Sequence, residues 1–261
     1  MDIYDFLLQN LWQYRPISAG PKDAVAQLTL EGARRIIPDL LKLFEYSIKP
    51  RPEEFEPKDL CSASDVDNAI ELKGLFDKYG SDKGGGNGYF YPYAKILKER
   101  SKVECIVEIG MGTNNSDVVS NMGNFGSPGA SLRAFRDFVP NALIVGADID
   151  SRILFHEDRI KTLQLDQTDW GAIQEFSAQL PETVDLVIDD GLHSPLGNIN
   201  ILRFGLEKVR VGGWVIIEDI ANYSADVWRL ISILLPQERF DSKLVKVASG
   251  HYIFVVFKHS E

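Results

Sequence analysis

Five apolar segments that alternate with helical stretches constrain the fold of this chain more than any other feature. They are KVECIVEIG, ALIVGADID, IKTLQLD, VDLVIDD and GGWVIIED, and they lie between residues 102 and 219. The intervening segments SLRAFRDF, WGAIQEFSAQL and NILRFGLEKV have helical spacing. Near-continuous apolar strands separated by helices are typical of a parallel sheet covered on both faces. The sequence therefore predicts an α/β fold with three layers.

The last apolar stretch departs from this alternation. The segment SKLVKVASGHYIFVVFK, residues 242–258, contains two strand-like runs joined by a short turn around Gly250. Two such runs in close succession indicate an antiparallel hairpin. We therefore expect a mostly parallel sheet that ends in a C-terminal antiparallel hairpin.

Residues 1–70 differ in pattern from the rest of the chain. Between residues 17 and 48 the apolar residues recur at helical spacing, which Pro38 interrupts, and residues 49–60 are rich in proline and charge, as in a linker. We expect a small helical appendage at residues 1–70 and the main sheet domain at residues 71–261. The appendage could enlarge the core, form a subunit contact or cover a binding site, and the sequence leaves these alternatives open.

Charge and cysteine content limit the partners and the compartment. The 261 residues carry a formal net charge of −10 and contain no Lys/Arg-rich block. This charge argues against binding to nucleic acid or to an anionic membrane surface. No apolar run approaches the roughly 20 residues of a membrane span, and Asp2 and Asp5 stand where a signal peptide carries basic residues. Because the two cysteines are also isolated, we expect a cytoplasmic protein.

Acidic side chains follow the predicted strands at the edge where ligands bind in open α/β sheets. In VEIGMG, Glu108 precedes the turn formed by Gly110 and Gly112. Asn115 occupies the position of the third glycine in a dinucleotide fingerprint, which disfavours a tightly held pyrophosphate. The next two strand ends contribute Asp148, Asp150, Asp166 and Gln167. These acids would repel the phosphates of NAD but suit the ammonium and sulfonium charges of S-adenosylmethionine.

Several motifs resemble, in order, those of one enzyme class. Residues 79–258 resemble the Rossmann-like S-adenosylmethionine-dependent methyltransferases in the acid before the glycine turn, the acid after the second strand and the terminal hairpin. More narrowly, YGSDKGG, VEIGMG, SLRAFRDFVPNALIVGADID, DDGLHS and GGWVIIEDI are similar to the metal-dependent macrolide-sugar O-methyltransferases. The long loop at residues 114–130 departs from the class, and we expect it beside the cofactor. The resemblance implies a Rossmann-like methyltransferase fold and a hydroxyl acceptor on a sugar or glycosylated small molecule.

The fourth and fifth strands each end in a pair of carboxylates, in VDLVIDD and in WVIIEDI. The resemblance implies that these strands are neighbours, and neighbouring strands lie about 4.8 Å apart. Asp190, Glu218 and Asp219 would then meet at one sheet edge, where three carboxylates need a compensating charge. Because oxygen ligands favour magnesium or calcium over zinc, we predict a divalent metal site with magnesium as the ion. The alternative is that Asp219 caps a helix and Asp190 binds a loop amide.

His193 follows Asp190 by three residues, across a glycine that permits a tight turn. A sugar hydroxyl is barely acidic, and a histidine beside a metal site is suited to take its proton. We therefore predict His193 as the catalytic base, with a solvated loop side chain as the alternative. Asp189 should point to the other face of its strand or, once the strand ends, toward the ammonium group of the cofactor, and we assign it to the cofactor. Lys83 is also assigned to the cofactor, from a loop over the site. A solvated loop lysine is equally compatible with the sequence.

These expectations describe an S-adenosylmethionine-dependent and metal-dependent O-methyltransferase with a small-molecule acceptor. The alternatives are a metal-independent methyltransferase, an NAD-dependent oxidoreductase and a non-catalytic module that kept the cofactor pocket. Tyr89, Tyr91 and Tyr93 could stack on a sugar ring or pack in the interior. The acceptor and the subunit number are left open, although relatives of this kind often form homo-oligomers.

Overall fold

The computed structural model describes residues 2–14, 20–44, 53–124 and 126–261, apart from the side chains of residues 43 and 44. Contacts divide the chain into two compact units, Met1–Arg51 and Pro52–Glu261. This division lies earlier in the chain than the boundary expected at residue 70, because the helix that carries Ala69 and Leu72 packs in the core of the second unit. The functional organisation into an appendage and a main domain stays a prediction.

The first unit contains, within its described residues, the helices α1 (Ile3–Asn10) and α2 (Lys22–Phe44). Lys22 pairs with Asp2 and Asp5 near the start of α1, which connects the two helices. Pro38 lies inside α2, so the interruption predicted there is wrong. A proline within a helix costs about 3 kcal/mol, and the remaining turns of this 23-residue helix outweigh that loss.

The described residues of the second unit are built around a nine-stranded sheet. Its strands are β1 (Glu54–Phe55), β2 (Cys105–Ile109), β3 (Leu143–Asp148), β4 (His156–Glu157), β5 (Ile160–Gln164), β6 (Val184–Asp189), β7 (Val209–Ile220), β8 (Phe240–Lys246) and β9 (Tyr252–Lys258). Its α-helices are α3 (Val66–Tyr79), α4 (Phe90–Ile96), α5 (Ala130–Phe138), α6 (Trp170–Ser177), α7 (Pro195–Lys208) and α8 (Ala225–Leu234). No helix in the described part of the chain has both the length and the apolarity of a membrane-spanning segment.

The strand order confirms the predicted sheet. The strands are arranged as β1-β8-β9-β7-β6-β2-β3-β5-β4. The neighbours β5, β3, β2, β6 and β7 are parallel. Strand β9 is antiparallel to both β7 and β8, so it lies between them as one arm of the predicted C-terminal hairpin. The short strand β4 is antiparallel to β5 at the opposite edge.

Strand β1 corrects part of the predicted linker. Glu54 and Phe55 pair in parallel with Leu244 and Val245 of β8. A short 3-10 helix, Pro57–Leu60, follows directly. This part of the segment therefore belongs to the folded second unit, because pairing at the sheet edge gives its backbone hydrogen-bonding partners. The rest of the predicted linker, residues 49–52, lies outside the described residues.

Two apolar cores, one on each face of the sheet, form the three layers. Side chains alternate between the faces of a strand, so Ile106 packs in one core and its neighbour Val107 in the other. The first core contains residues of α3, α4 and α5, including Phe76 and Phe135. The second contains residues of α6, α7 and α8, including Trp228. The continuous apolar runs of the sequence follow from this burial on both faces.

The pairing of β6 with β7 sets the position of the predicted site. Asp189 pairs with Ile217 in parallel register, so the next residues, Asp190 after β6 and Glu218 near the end of β7, lie side by side. On the other side of β6, Asp189 pairs with Ile109 at the end of β2. The carboxyl ends of these three strands therefore meet at one sheet edge, as the sequence predicted.

Candidate active site

A cavity of about 1160 Å³ opens at the carboxyl ends of the parallel strands, where ligands bind in open α/β sheets. Its wall includes most of the predicted site residues, namely Lys83, Gly110, Gly112, Asp148, Asp150, Asp166, Gln167, Asp190, His193 and Asp219. Residues 117–122 of the loop between β2 and α5 also line it, so this loop lies at the cavity as expected. Glu108, Asp189 and Glu218 are instead buried in the protein next to this wall.

The turn after β2 depends on Gly110 and Gly112, whose φ angles are +89° and +77°. Residues with a Cβ atom rarely adopt such angles. A Cβ atom at Gly110 would also overlap the backbone oxygen of Asp190. Asp148 holds the turn by accepting a hydrogen bond of 2.9 Å from the backbone N–H of Met111. The two glycines therefore allow the turn to pack closely against the backbone of Asp190 and the side chain of Met122.

Replacing Gly110 with alanine is expected to lower the free energy of unfolding by about 2–5 kcal/mol, because a left-handed backbone costs roughly 1–2 kcal/mol and overpacking about 1–3 kcal/mol. Gly250→Ala is the matched control, since Gly250 also has a positive φ of +86° but no atom of the described residues lies within 4 Å of an added Cβ. Urea denaturation followed by circular dichroism measures both losses. Equal losses in the two variants would contradict the close approach of Gly110 to Asp190.

Asp150 is held in the cavity wall by three side chains. Thr113 Oγ1 and Asn115 Nδ2 each donate to its Oδ2 at 2.7 Å, and Arg152 Nε donates to its Oδ1 at 2.6 Å. The hydrogen bond from Arg152, followed by that from Asn115, lowers the pKa of Asp150. Asn115, which replaces the third glycine of a dinucleotide fingerprint, thus fixes an acid instead of opening space for a pyrophosphate.

Asp189 faces the protein interior and not the cavity. Its Oδ1 accepts a hydrogen bond from Gln167 Nε2 at 3.1 Å, and its Oδ2 accepts one from Asn198 Nδ2 at 3.0 Å. Burial raises the pKa of Asp189 to about 6. Gln167 also accepts a hydrogen bond of 2.8 Å from the backbone N–H of Leu192. Asp189 therefore positions Gln167, which lines the cavity beside Asp166, and the geometry does not bring Asp189 itself to the predicted cofactor contact.

Asp190, which follows β6, and Glu218, near the end of β7, meet around the side chain of Lys83. Lys83 is only 1% exposed, and its Nζ lies 2.5 Å from Asp190 Oδ2 and donates a hydrogen bond to Glu218 Oε2. Glu108 Oε1 lies 3.4 Å from the same nitrogen. Burial alone would lower the pKa of Lys83, but the three carboxylates outweigh burial and raise it well above its ordinary value. The alternative of a solvated loop lysine is therefore wrong.

Two tyrosines complete this cluster, although the sequence did not predict their contact with the acids. Tyr89 Oη donates to Asp219 Oδ1 at 2.5 Å, and Tyr93 Oη donates to Glu218 Oε1. Both rings are buried, which agrees with interior packing and not with stacking on a sugar ring. Residues four apart lie on one side of a helix, so the spacing of these tyrosines in YFYPY was the signal that could have paired them with two neighbouring acids.

His193 lies in the cavity wall beside Asp219. Its Nε2 is 4.0 Å from Asp219 Oδ2, and its Nδ1 is buried without a hydrogen-bond partner among the described residues. His193 and Asp219 both have positive φ angles, +54° and +50°, which are strained for residues other than glycine. His251 Nδ1 also approaches Asp219, at 3.9 Å, but His251 is absent from the described cavity wall.

The donor atoms in the cavity wall fit a divalent cation. Asp190, His193 and Asp219 each place one donor atom so that all lie within 4.8 Å of one another. Carboxylate oxygens are the ligands that magnesium prefers, so Asp190 and Asp219 could hold the ion. Glu218, the third predicted ligand, has one oxygen engaged by Lys83 and the other by a tyrosine hydroxyl. Each Glu218 oxygen therefore already accepts one hydrogen bond, and an ion would have to share these oxygens with Lys83 and Tyr93.

The helix-cap alternative for Asp219 is wrong. The helical turn after β7 is Asn222–Ser224, and Ala221 occupies its N-cap position. The side chain of Asp219 instead accepts the hydrogen bond from Tyr89 and lines the cavity. The structure thus brings together Asp190, Glu218, Asp219 and His193 as the sequence predicted, and their roles in binding and catalysis stay predictions.

Comparison with curated proteins identifies methyltransferases as relatives, although no protein-family model matches the chain. Over 162 residues the chain is 27% identical to 8-demethyl-8-alpha-L-rhamnosyl tetracenomycin-C 2'-O-methyltransferase of Streptomyces olivaceus. The aligned residues are 62% of this chain and 40% of the relative. Over 152 residues it is 32% identical to demethylmacrocin O-methyltransferase of Streptomyces fradiae, and this alignment includes 58% of this chain and 36% of the relative. The chain thus spans 40% or less of the length of these relatives.

Comparison with solved structures agrees with this result. MycE methyltransferase from the mycinamycin biosynthetic pathway, in complex with Mg and SAH, superposes with a TM-score of 0.54 at 25% sequence identity. The superposition covers 72% of this chain and 54% of that chain. These findings confirm the predicted resemblance to sugar O-methyltransferases and the Rossmann-like methyltransferase fold.

Proposed function

We propose that this chain transfers a methyl group from S-adenosylmethionine to a hydroxyl group, with a divalent metal ion, magnesium, as a second cofactor. The acceptor that we propose is a sugar of a glycosylated small molecule. The names of the relatives support this acceptor, since one of them refers to a rhamnosyl 2'-O-methyltransferase. The net charge of −10 also favours a small-molecule acceptor over a nucleic acid.

The grouping of His193 with Asp190 and Asp219 carries this proposal. A base and two oxygen donors converge within 4.8 Å. They lie in the wall of the same cavity as the glycine turn and the acids at the end of β3, Asp148 and Asp150. These acids suit a methyl donor with a sulfonium and an ammonium charge, because opposite charges attract strongly where water is partly excluded. The same acids disfavour NAD, whose phosphates they would repel.

The residues have distinct tasks in the proposed reaction. The acceptor oxygen forms a bond to the methyl carbon while the carbon–sulfur bond breaks, and S-adenosylhomocysteine leaves. His193 takes the hydroxyl proton, and Asp219, 4.0 Å away, stabilises the imidazolium that results. Asp190 and Asp219 would hold a magnesium ion, whose charge makes a nearby hydroxyl more acidic. The cavity wall orients donor and acceptor, which itself removes part of the barrier.

A metal-independent methyltransferase is a second candidate because of one observation. Lys83 already supplies a positive charge to Asp190 and Glu218, so the acids do not require a metal ion for charge balance alone. In this candidate, the orientation of the two substrates would supply most of the acceleration.

The proposed function is tested with the purified chain, methyl-labelled S-adenosylmethionine and aryl rhamnosides as acceptors. We expect label in the glycoside, formation of S-adenosylhomocysteine and a calorimetric signal for binding of S-adenosylmethionine. Thermal unfolding in the presence of NAD is the control for the oxidoreductase alternative. A chain that is stabilised by NAD but does not bind S-adenosylmethionine would overturn the proposal.

A further inference from the structure

The acids around Lys83 share a single basic partner. Among the ion pairs of the described residues, Asp190, Glu218 and Glu108 have no lysine or arginine partner other than Lys83. Lys83 Nζ is therefore bound to two of the three predicted metal-ligand carboxylates, Asp190 and Glu218. A divalent ion that approaches these oxygens meets a positive charge that is already in contact with them.

Glu108 offers the ammonium group a second position. Its Oε2 accepts a hydrogen bond of 2.7 Å from Ser131, but its Oε1 is buried and has no hydrogen-bond partner among the described residues. This oxygen lies 3.4 Å from Lys83 Nζ, so a short displacement of the ammonium would give it a full hydrogen bond. A buried carboxylate oxygen without a partner is costly, and such a displacement would remove that cost.

We infer that Lys83 is a tethered cation that competes with the divalent ion for Asp190 and Glu218, and that Glu108 accepts the ammonium group when the ion binds. This inference rests on the metal dependence in the proposed function. Lys83 thereby holds the carboxylates together before the ion arrives and sets the affinity of the site. It is a positioning residue that acts through the metal ligands.

Isothermal titration calorimetry with Mg²⁺, and separately with Mn²⁺, tests this competition. Replacing Lys83 with methionine removes the charge but keeps an unbranched side chain, and Lys83→Met is expected to bind either ion at least about tenfold more tightly than the wild-type chain. Lys78→Met is the matched control, since Lys78 is exposed and pairs with Asp137 at the surface. We expect the control to bind the ions with wild-type affinity.

A second variant tests the role of Glu108, and here ion binding is expected to become weaker instead of tighter. Glu108→Gln removes the charged acceptor, so Lys83 stays on Asp190 and Glu218 and ion binding is expected to weaken about three- to tenfold. The double variant separates this effect from a general loss of negative charge. If Glu108 acts through Lys83, the double variant binds the ions as tightly as Lys83→Met alone.

Each outcome has a definite meaning. An unchanged or weaker affinity in Lys83→Met, with ion binding in the wild-type chain, overturns the inference and leaves the proposed function intact. If Glu108→Gln weakens ion binding to the same extent in the wild-type chain and in Lys83→Met, Glu108 does not act through Lys83 and its role is overturned. Methyl transfer without any ion binding overturns both this inference and the metal role. If Lys83→Met fails to fold by circular dichroism, the Glu108→Gln titration decides, since an affinity equal to that of the wild-type chain overturns the inference.

Discussion

Replacing His193 with alanine is expected to lower the rate of methyl transfer about 100- to 10,000-fold, the range in which a positioned general base contributes. The loss should appear in kcat, because the variant keeps the cavity but has no group to take the hydroxyl proton. Affinity for S-adenosylmethionine should be unchanged, since the glycine turn and the acids at the end of β3, Asp148 and Asp150, do not contact the imidazole among the described contacts. Initial rates with a labelled methyl donor, together with calorimetry, measure the two quantities separately.

His251→Ala is the matched control for this prediction. Both histidines approach Asp219 at about the same distance, but only His193 lies in the described cavity wall. The His251 variant is therefore expected to keep wild-type turnover. A fully active His193→Ala enzyme would show that the base is a different group or that no base is needed.

Removal of divalent ions is expected to abolish turnover, and added Mg²⁺ should restore it. Asp219→Asn should lower the affinity for Mg²⁺ at least about 100-fold, because loss of residues that only orient metal ligands already costs about 10- to 100-fold. The substitution keeps the shape of the side chain and its ability to accept a hydrogen bond from Tyr89. Calorimetry before and after treatment with a chelator measures the affinity, and a methyl-transfer assay measures turnover.

Glu207→Gln provides the control for charge, since Glu207 pairs with Arg203 on the exposed side of α7. This variant should bind Mg²⁺ with wild-type affinity. Full turnover after exhaustive chelation, in a chain that still binds S-adenosylmethionine, would favour the metal-independent candidate. The role of Asp219 would then be limited to orienting His193.

Strands and acids were predictable because local pattern determines them. A strand buried on both faces needs a continuous apolar run, and the end of that run marks the sheet edge where ligands bind. Asp190 and the pair Glu218–Asp219 follow such runs directly, so one assumption about strand order was sufficient to bring them together. The pairing of Asp189 with Ile217 confirms that assumption.

Contacts between distant parts of the chain were not predictable in the same way. Lys83 lies 107 residues from Asp190 and 135 residues from Glu218 in sequence, and no local pattern specifies that its ammonium enters the acid cluster. Asp189 was assigned to the cofactor although strand alternation also allowed it to point to the other face, and hydrogen bonds from Gln167 and Asn198 hold it in the interior. Pro38 was expected to interrupt a helix, and the length of α2 outweighs its effect.

The left-handed backbones of His193 and Asp219 carry an evolutionary consequence. Each costs of order 1–3 kcal/mol when the residue is not glycine. Asp219→Gly would also leave the buried hydroxyl of Tyr89 without its acceptor, which costs about as much, whereas His193→Gly would remove a buried Nδ1 that has no partner among the described residues. A directed-evolution screen for heat resistance alone would therefore tend to select substitutions that remove the base. Persistence of His193 in a lineage would then report selection for turnover and not for stability.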